Sequence, residues 1–253
     1  MLRTLYRNYI HWPALDAGIY AILDFLTHLR ARVAHFSFPK NYIRRWKLNM
    51  LWGLYEPETY ELFKKIIKPG MIVVDIGAHI GYFTRLFSTL VGPTGRVYAF
   101  EADPENFALL IKNTRGFRNI EKINLACTEK TGMIDFWRGE KTGTHSTIQA
   151  SFHSQKIAVP CISLDEWMKR ESVLRIDLIK MDIEGGERAE FLGMAKTLKD
   201  TRVLVTEFAP ALIEAAGGTP DEFLNTLESY GFQVSPITPL GSQTFTNLYC
   251  VKK

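Results

Sequence analysis

Val73-Val74-Asp75-Ile76-Gly77-Ala78-His79-Ile80-Gly81-Tyr82-Phe83 changes its periodicity within a few residues, and that change decides the fold. Met71 to Val74 form an apolar run with the β-branched content of a buried strand. An acid and two glycines follow. From Tyr82 the apolar residues Tyr82, Phe83, Leu86, Phe87 and Leu90 fall at three- and four-residue spacing, which is one face of a helix. A strand delivered into a helix through a glycine turn is the ligand-binding end of an open α/β sheet. Gly77 permits the sharp turn and Gly81 a close approach at the helix start. The helix N-terminus offers unpaired N–H groups to an electron-rich ligand.

This is not the dinucleotide fingerprint, because His79 stands where a middle glycine would be. A pyrophosphate needs the backbone to come very close there, and a histidine side chain crowds it. An adenosine carrying a sulfonium amino acid makes no such demand, so the turn points to S-adenosylmethionine. His79 reads either as a group at the cofactor's amino-acid end or as a hydrogen-bonded turn residue.

The chain of 253 residues is long enough for one large α/β domain plus an extension. Hydrophobic residues at 46% and charged residues at 23% are ordinary for a soluble protein. Cys127, Cys161 and Cys250 show no metal-type spacing and read as structural thiols of a reducing compartment. The net charge of +4 is uneven. Residues 1–50 hold eight Lys/Arg against Asp16 and Asp24, a net +6, which leaves −2 for the rest. The near-neutral body gives no case for nucleic-acid binding.

The basic leader is rich in Tyr, Trp and Phe. Its longest apolar run, Ala17 to Leu23, is too short to span a bilayer, and flanking Asp16 and Asp24 argue against a secretory signal. A cytoplasmic protein is expected. The leader reads as a pair of helices packed on the body or on a second subunit, which would make a homo-oligomer. Its alternative is a peripheral surface for anionic lipid or a glycolipid. The expected organisation is therefore a helical extension over 1–50 and a ligand-binding domain over 51–253.

Beyond the opening motif the chain alternates strand and helix. A helix is predicted over Glu58 to Lys68, then strands at Gly95–Phe100, Ile120–Cys127, Ile176–Met181 and Val203–Thr206. Helices are predicted at Pro104–Arg115, from Ser163 onward, at Glu187–Leu198 and at Pro220–Tyr230. Short extra strands near 132–138 and 156–162 flank a polar loop, and strands near 232–236 and 245–251 close the chain as a hairpin. This is a mostly parallel sheet of about seven strands with helices on both faces.

Ligands of such sheets sit beyond the carboxyl ends of the strands. Four of those ends carry acids: Asp75, Glu101, Asp182 (with Glu184) and Glu207. Packing does not call for them, and burying them unpaired is costly. Glu101, 20 residues after Gly81, stands where an acid accepts two ribose hydroxyls. Asp75 could attract a sulfonium or amino group, or brace its own turn. Lys180-Met181-Asp182-Ile183-Glu184-Gly185-Gly186-Glu187 places Asp182 across the cleft from Gly77. Glu187 reads equally as an acid in a helix's first turn. His145, on the polar loop, reads as a solvated loop residue or as a proton acceptor.

Together these segments resemble the FkbM-type family of S-adenosylmethionine-dependent methyltransferases, from about Tyr55 to Glu207. The likeness rests on Tyr55-Glu56-Pro57-Glu58, Pro69-Gly70, the Asp75–Phe83 turn, Phe100-Glu101-Ala102-Asp103-Pro104, Asn124-Leu125-Ala126, Ser163-Leu164-Asp165-Glu166 and the Lys180–Glu187 motif. It implies the class I methyltransferase (Rossmann-like) fold and O-methylation, often of a sugar, glycan or other small hydroxylated metabolite. Carried over, Asp75, Gly77 and Gly81 would line the methionine end of the cofactor, and Ala78, His79, Ala102 and Asp182 are expected to contact it as well. Glu101 would hold the ribose, and the Ala126–Cys127 backbone would border the adenine. Residues 1–50 match no pattern of that family.

Methyl transfer from a sulfonium is in-line displacement, so alignment is the main task, and it can supply up to about 7–11 kcal/mol. Asp182 or His145 could take the acceptor's proton. A metal-free reaction is expected; the alternative is a divalent cation such as magnesium on Asp182 and Glu207. Two rivals share the fold signals: a nicotinamide oxidoreductase, and a non-catalytic cofactor-binding protein acting through its basic leader.

Overall fold

In this computed structural model the leader forms two helices, α1 (Pro13–Val33) and α2 (Arg44–Trp52); the structure describes residues 13–40, 42–139, 153–183, 187–239 and 244–252. α2 ends on Gly53, whose φ of +69° suits glycine. Phe36, Tyr42, Met50 and Leu51 are buried against Ile80 of the glycine turn. The leader is thus joined by apolar burial to the segment on which the ligand end of the sheet depends. Each such side chain contributes about 1.5–3 kcal/mol.

The chain continues through α3 (Pro57–Ile66), β1 (Ile72–Ile76), α4 (Tyr82–Val91), β2 (Arg96–Phe100), α5 (Pro104–Asn113) and β3 (Ile120–Ile123). Next come β4 (Ala126–Cys127), β5 (Gly132–Gly139), β6 (His153–Ile162), α6 (Leu164–Arg170) and β7 (Leu178–Met181). The last part holds α7 (Glu187–Gly193), α8 (Ala195–Asp200), β8 (Val203–Phe208), α9 (Pro210–Ala215), α10 (Pro220–Ser229), β9 (Gln233–Pro236) and β10 (Thr246–Val251).

Seven strands form one sheet in the order β3-β2-β1-β7-β8-β10-β9. β1, β2, β3, β7 and β8 are parallel neighbours, and β10 runs antiparallel to β8 and β9. The strand order reverses between β1 and β7, so a crevice opens beyond their carboxyl ends. Side-chain alternation divides the core. Val73, Val97, Leu178 and Val205 face Phe63, Phe83 and Phe87, whereas Val74, Phe100, Met181 and Leu204 face Trp167, Phe191 and Leu227.

The structure departs from the sequence expectations at three places. The predicted strand Ile120–Cys127 breaks in two, and β4 leaves the main sheet to join β5 and β6 in a second, three-stranded sheet. At the break the Asn124 side chain donates to the carbonyls of Glu101 and Ala102, at 2.7 and 3.2 Å, which draws the chain across the end of β2. The predicted helix Glu187–Leu198 is two helices. Gly193 lies so close to Thr128 that a Cβ would stand 2.1 Å from its carbonyl oxygen, and Asp165 caps the new start by accepting from the N–H groups of Lys196 and Thr197. α9 was not foreseen; at six residues with only Ile213 buried, it carries no readable periodicity.

Candidate active site

The glycine turn is tied to the end of β2. The N–H groups of Gly77 and Ala78 both donate to the Phe100 carbonyl, at 3.0 and 2.8 Å. His79 then adopts φ +51°, a left-handed conformation that costs a non-glycine residue roughly 1–3 kcal/mol. That conformation aims the His79 N–H at Glu101 Oε2, 2.7 Å away, while the Asp103 N–H donates to Oε1 at 2.9 Å. Glu101 is therefore held by two backbone donors at the cavity wall. Burial pushes its carboxyl up to about 7 in spite of those bonds. Asp103 is a helix cap, accepting from Glu105 and Asn106 at the start of α5.

Lys180, at the end of β7, organises the other side. Its Nζ lies 3.2 Å from Asp182 Oδ2 and 3.8 Å from Asp75 Oδ1, and it donates to the Gly77 carbonyl at 3.3 Å. Burial opposes its charge, but the surrounding carboxylates of Asp182, Asp75 and Glu56 raise its pKa above the ordinary lysine range. Asp182 is half-buried at the cavity wall, and Lys180 and a hydrogen bond with Glu207 hold its carboxyl below the usual value. Asp75 is fully buried, accepts from the Thr84 hydroxyl at 2.5 Å, and leaves Oδ1 without a hydrogen-bond partner. Burial raises its pKa despite Lys180 and Thr84.

A cavity of about 460 Å³ opens between these groups, a volume suited to a ligand of nucleoside size. Of the residues singled out from sequence, Gly77, His79, Glu101, Ala102, Ala126, Cys127, Asp182 and Glu207 all line it. Ala78, Asp75 and Gly81 are not among the lining residues. Gly81 faces Leu110 and Thr114, so its missing side chain makes room for α5 rather than for a ligand. His145 and Glu184 lie outside the described residues. Glu187 is buried in the first turn of α7, and its Oε1 accepts from the Ile183 N–H at 3.4 Å. Among the described residues no cluster of three or more His, Cys, Asp or Glu is arranged to hold a metal ion. All three cysteines are buried and free.

Sequence reasoning missed several wall residues. Tyr42 and Trp46 come from the leader, and the Tyr42 ring stands 5.8 Å from that of His79. Tyr55 and Glu56 come from the segment before α3, Phe136 from the middle of β5 and Phe245 from the position before β10. Glu56 was legible as part of a motif but not as a site residue. One signal was the following Pro57, which restricts the backbone of the residue before it.

A crevice at the strand-order reversal, an acid fixed at the end of the second strand and an antiparallel terminal pair define the class I methyltransferase fold. A putative rRNA methylase from Clostridium thermocellum shares it, with a TM-score of 0.52 and 13% identity over 78% of this chain and 94% of that one. The methyltransferase FkbM domain model matches residues 75–234, and the chain belongs to that family. It is 28% identical to the 2-O-methyltransferase NoeI of Sinorhizobium fredii over 56% of this chain and 65% of the relative. It is 24% identical to the hexuronic acid methyltransferase AglP of Haloferax volcanii over 64% of this chain and 65% of the relative. The chain thus spans just under two thirds of the length of these relatives.

Proposed function

We propose that this chain is an S-adenosylmethionine-dependent O-methyltransferase acting on a hydroxyl of a sugar, glycan or other small hydroxylated molecule. The observation that carries the reading is the polarity of the cavity. One end presents Glu101, buried and oriented by two backbone donors; the other presents Asp182 and Glu207 beside the Lys180 cation. That excess of carboxylates suits a ligand carrying a sulfonium and an ammonium group. Glu101 suits a ribose diol, and Ala102, Leu125 and Phe136 supply apolar wall for an adenine. The named activities of NoeI and AglP, a 2-O-methyltransferase and a hexuronic acid methyltransferase, support a hydroxyl of a sugar as acceptor.

The bound cofactor supplies an activated methyl on sulfur; the protein supplies placement. Gly77 and His79 shape the floor, Asp182 holds the cationic end, and the Lys180 cation keeps Asp182 ionised. Tyr42, Trp46 and Tyr55 offer aromatic faces on which an acceptor ring can lie. In this reading residues 1–50 are an extension that completes the acceptor side of a catalytic domain spanning 51–253. The reaction is proposed to be metal-free. Calorimetric titration with S-adenosylmethionine and with NAD, followed by labelled methyl transfer to a glycan panel, tests it. Binding of NAD alone would overturn the reading.

The leader supports a second proposal, a cytoplasmic protein held peripherally at an anionic membrane. No described helix is long and apolar enough to cross a bilayer. Ile22, Phe25, Leu26, Leu29 and Val33 are exposed on α1 and fall on one helical stripe, with Arg30 and Arg32 at its flanks. Arg30 also stacks on the exposed Trp52, 4.7 Å from its ring. An apolar stripe bordered by arginine and tryptophan matches a lipid interface, and the leader's net +6 matches anionic headgroups. A second copy would instead set like charges together. Co-sedimentation with anionic and neutral vesicles tests it: F25E/L29E should abolish anionic binding, and a dimer in solution with no vesicle binding would overturn it.

A further inference from the structure

Glu56 has a conformation and a set of contacts that its place in the chain does not require. It is the residue before Pro57 and sits at the N-cap of α3 with φ +46° and ψ +59°. A left-handed backbone in a long-chain residue ahead of proline is disfavoured on both counts. Its side chain makes no cap hydrogen bond to α3. The carboxylate lines the cavity instead, where Asn247 Nδ2 donates to Oε2 at 2.7 Å and the Tyr55 hydroxyl supplies another hydrogen bond. Asn247 is itself placed by β10, directly opposite Glu207 on β8, and is steadied by Thr59 at 3.1 Å. The strained turn thus places one acid among groups brought from 191 positions away along the chain.

We propose that Glu56 is the general base that takes the proton of the acceptor hydroxyl, a role resting on the methyl-transfer reading above. In that step the acceptor O–H breaks and its proton bonds to the Glu56 carboxylate. The oxygen lone pair forms the new bond to the donated methyl, and the carbon–sulfur bond breaks with its electrons left on a neutral thioether. No further co-reactant is needed. Asp182 is the poorer base, because Lys180 and Glu207 already engage it. Glu56 has spare lone pairs after its two hydrogen bonds, since a carboxylate accepts about four.

The charged and titratable groups facing Glu56 are Asp182 beyond β7, Lys180 on β7, Tyr82 on α4 and the adjoining Tyr55. Burial and Asp182 push its carboxyl up to about 7, against Lys180, Asn247 and Tyr55, so it can exchange a proton near neutrality.

The test uses the full chain with E56Q and with N247L, which removes one hydrogen bond that favours the ionised form. E56Q should bind S-adenosylmethionine with wild-type affinity, melt cooperatively and lose at least about 100-fold in kcat. In the free protein, infrared difference spectra should show carboxyl titration near 7 from both Glu56 and Glu101 in wild type, and the Glu56 component alone should be lost in E56Q. In N247L that titration and the acid limb of kcat/KM should move upward together. Wild-type turnover by E56Q, loss of its cofactor binding, or no titration of Glu56 would overturn the assignment. Should E56Q fail to fold, N247L decides alone: a fixed acid limb refutes the role. A wild-type chain that transfers no methyl sinks the parent reading, whereas an active wild type with an equally active E56Q sinks only this one.

Discussion

Gly77 and Asp182 meet at the lip of the cavity: a Cβ on Gly77 would lie 1.9 Å from the Asp182 carbonyl oxygen. The contact joins the end of β1 to the end of β7, the two strands between which the sheet order reverses. Gly77 also holds φ +76°, a region that other residues rarely adopt. G77A therefore meets a backbone clash and backbone strain together. It should cost more than about 2 kcal/mol of stability and remove cofactor binding. Thermal denaturation and calorimetric titration of the variant check this; a folded, binding-competent G77A would show that the two strand ends can separate freely.

Glu101 accepts two backbone N–H groups and still faces the cavity. E101Q keeps the shape but replaces one acceptor oxygen with an amide and removes the charge that a diol would meet. Hydrogen bonds to charged groups are worth about 1.5–3 kcal/mol, so S-adenosylmethionine affinity should fall by about 10- to 100-fold. The measurement is calorimetric titration, with adenosine as a second ligand to show that the loss lies at the ribose.

Lys180 is the cation between Asp75 and Asp182. K180M leaves Asp75 buried beside Thr84 and the Asp182 carboxylate without the cation between them, and should destabilise the protein by about 3–5 kcal/mol. Adding D75N removes the buried charge, so the double variant should recover part of that loss. Denaturant melts of the two single variants and the double variant read the coupling directly.

Glu56 and Glu101 are both pushed up to about 7 by burial, from an ordinary value of 4.5. Asp75 and Glu190 are raised by burial as well. A raised acid binds its proton more tightly in the folded state. Its stabilising contribution is full below the unfolded value and is lost as pH rises through the folded one. The free protein should therefore melt at lower temperature at pH 8 than at pH 5, the two glutamates contributing up to roughly 3 kcal/mol each. Asp182 is shifted the other way and acts below this window. A rising melting temperature from pH 5 to 8 would contradict the assignment, and the E56Q/E101Q double variant should flatten the slope.

Much of this molecule follows from the order of residues alone. The alternation that builds β1, β2, β7 and β8 is local, because strand and helix periodicities are written in neighbouring side chains. Once those strands are parallel, chain direction places Glu101, Asp182 and Glu207 along one rim. The break at Asn124 and the split at Met194 were not legible, because each depends on a partner brought in by packing: the ends of β2 in one case, Thr128 and Asp165 in the other. The acceptor side of the cavity is a tertiary product in the same sense. Tyr42 reaches His79 only because the leader is buried against Ile80, and Glu56 meets Asn247 only because β10 lies beside β8. The proton affinities of Glu56 and Glu101 were equally hidden, since they are set by exclusion of water, which exists only once the distant walls have closed around them.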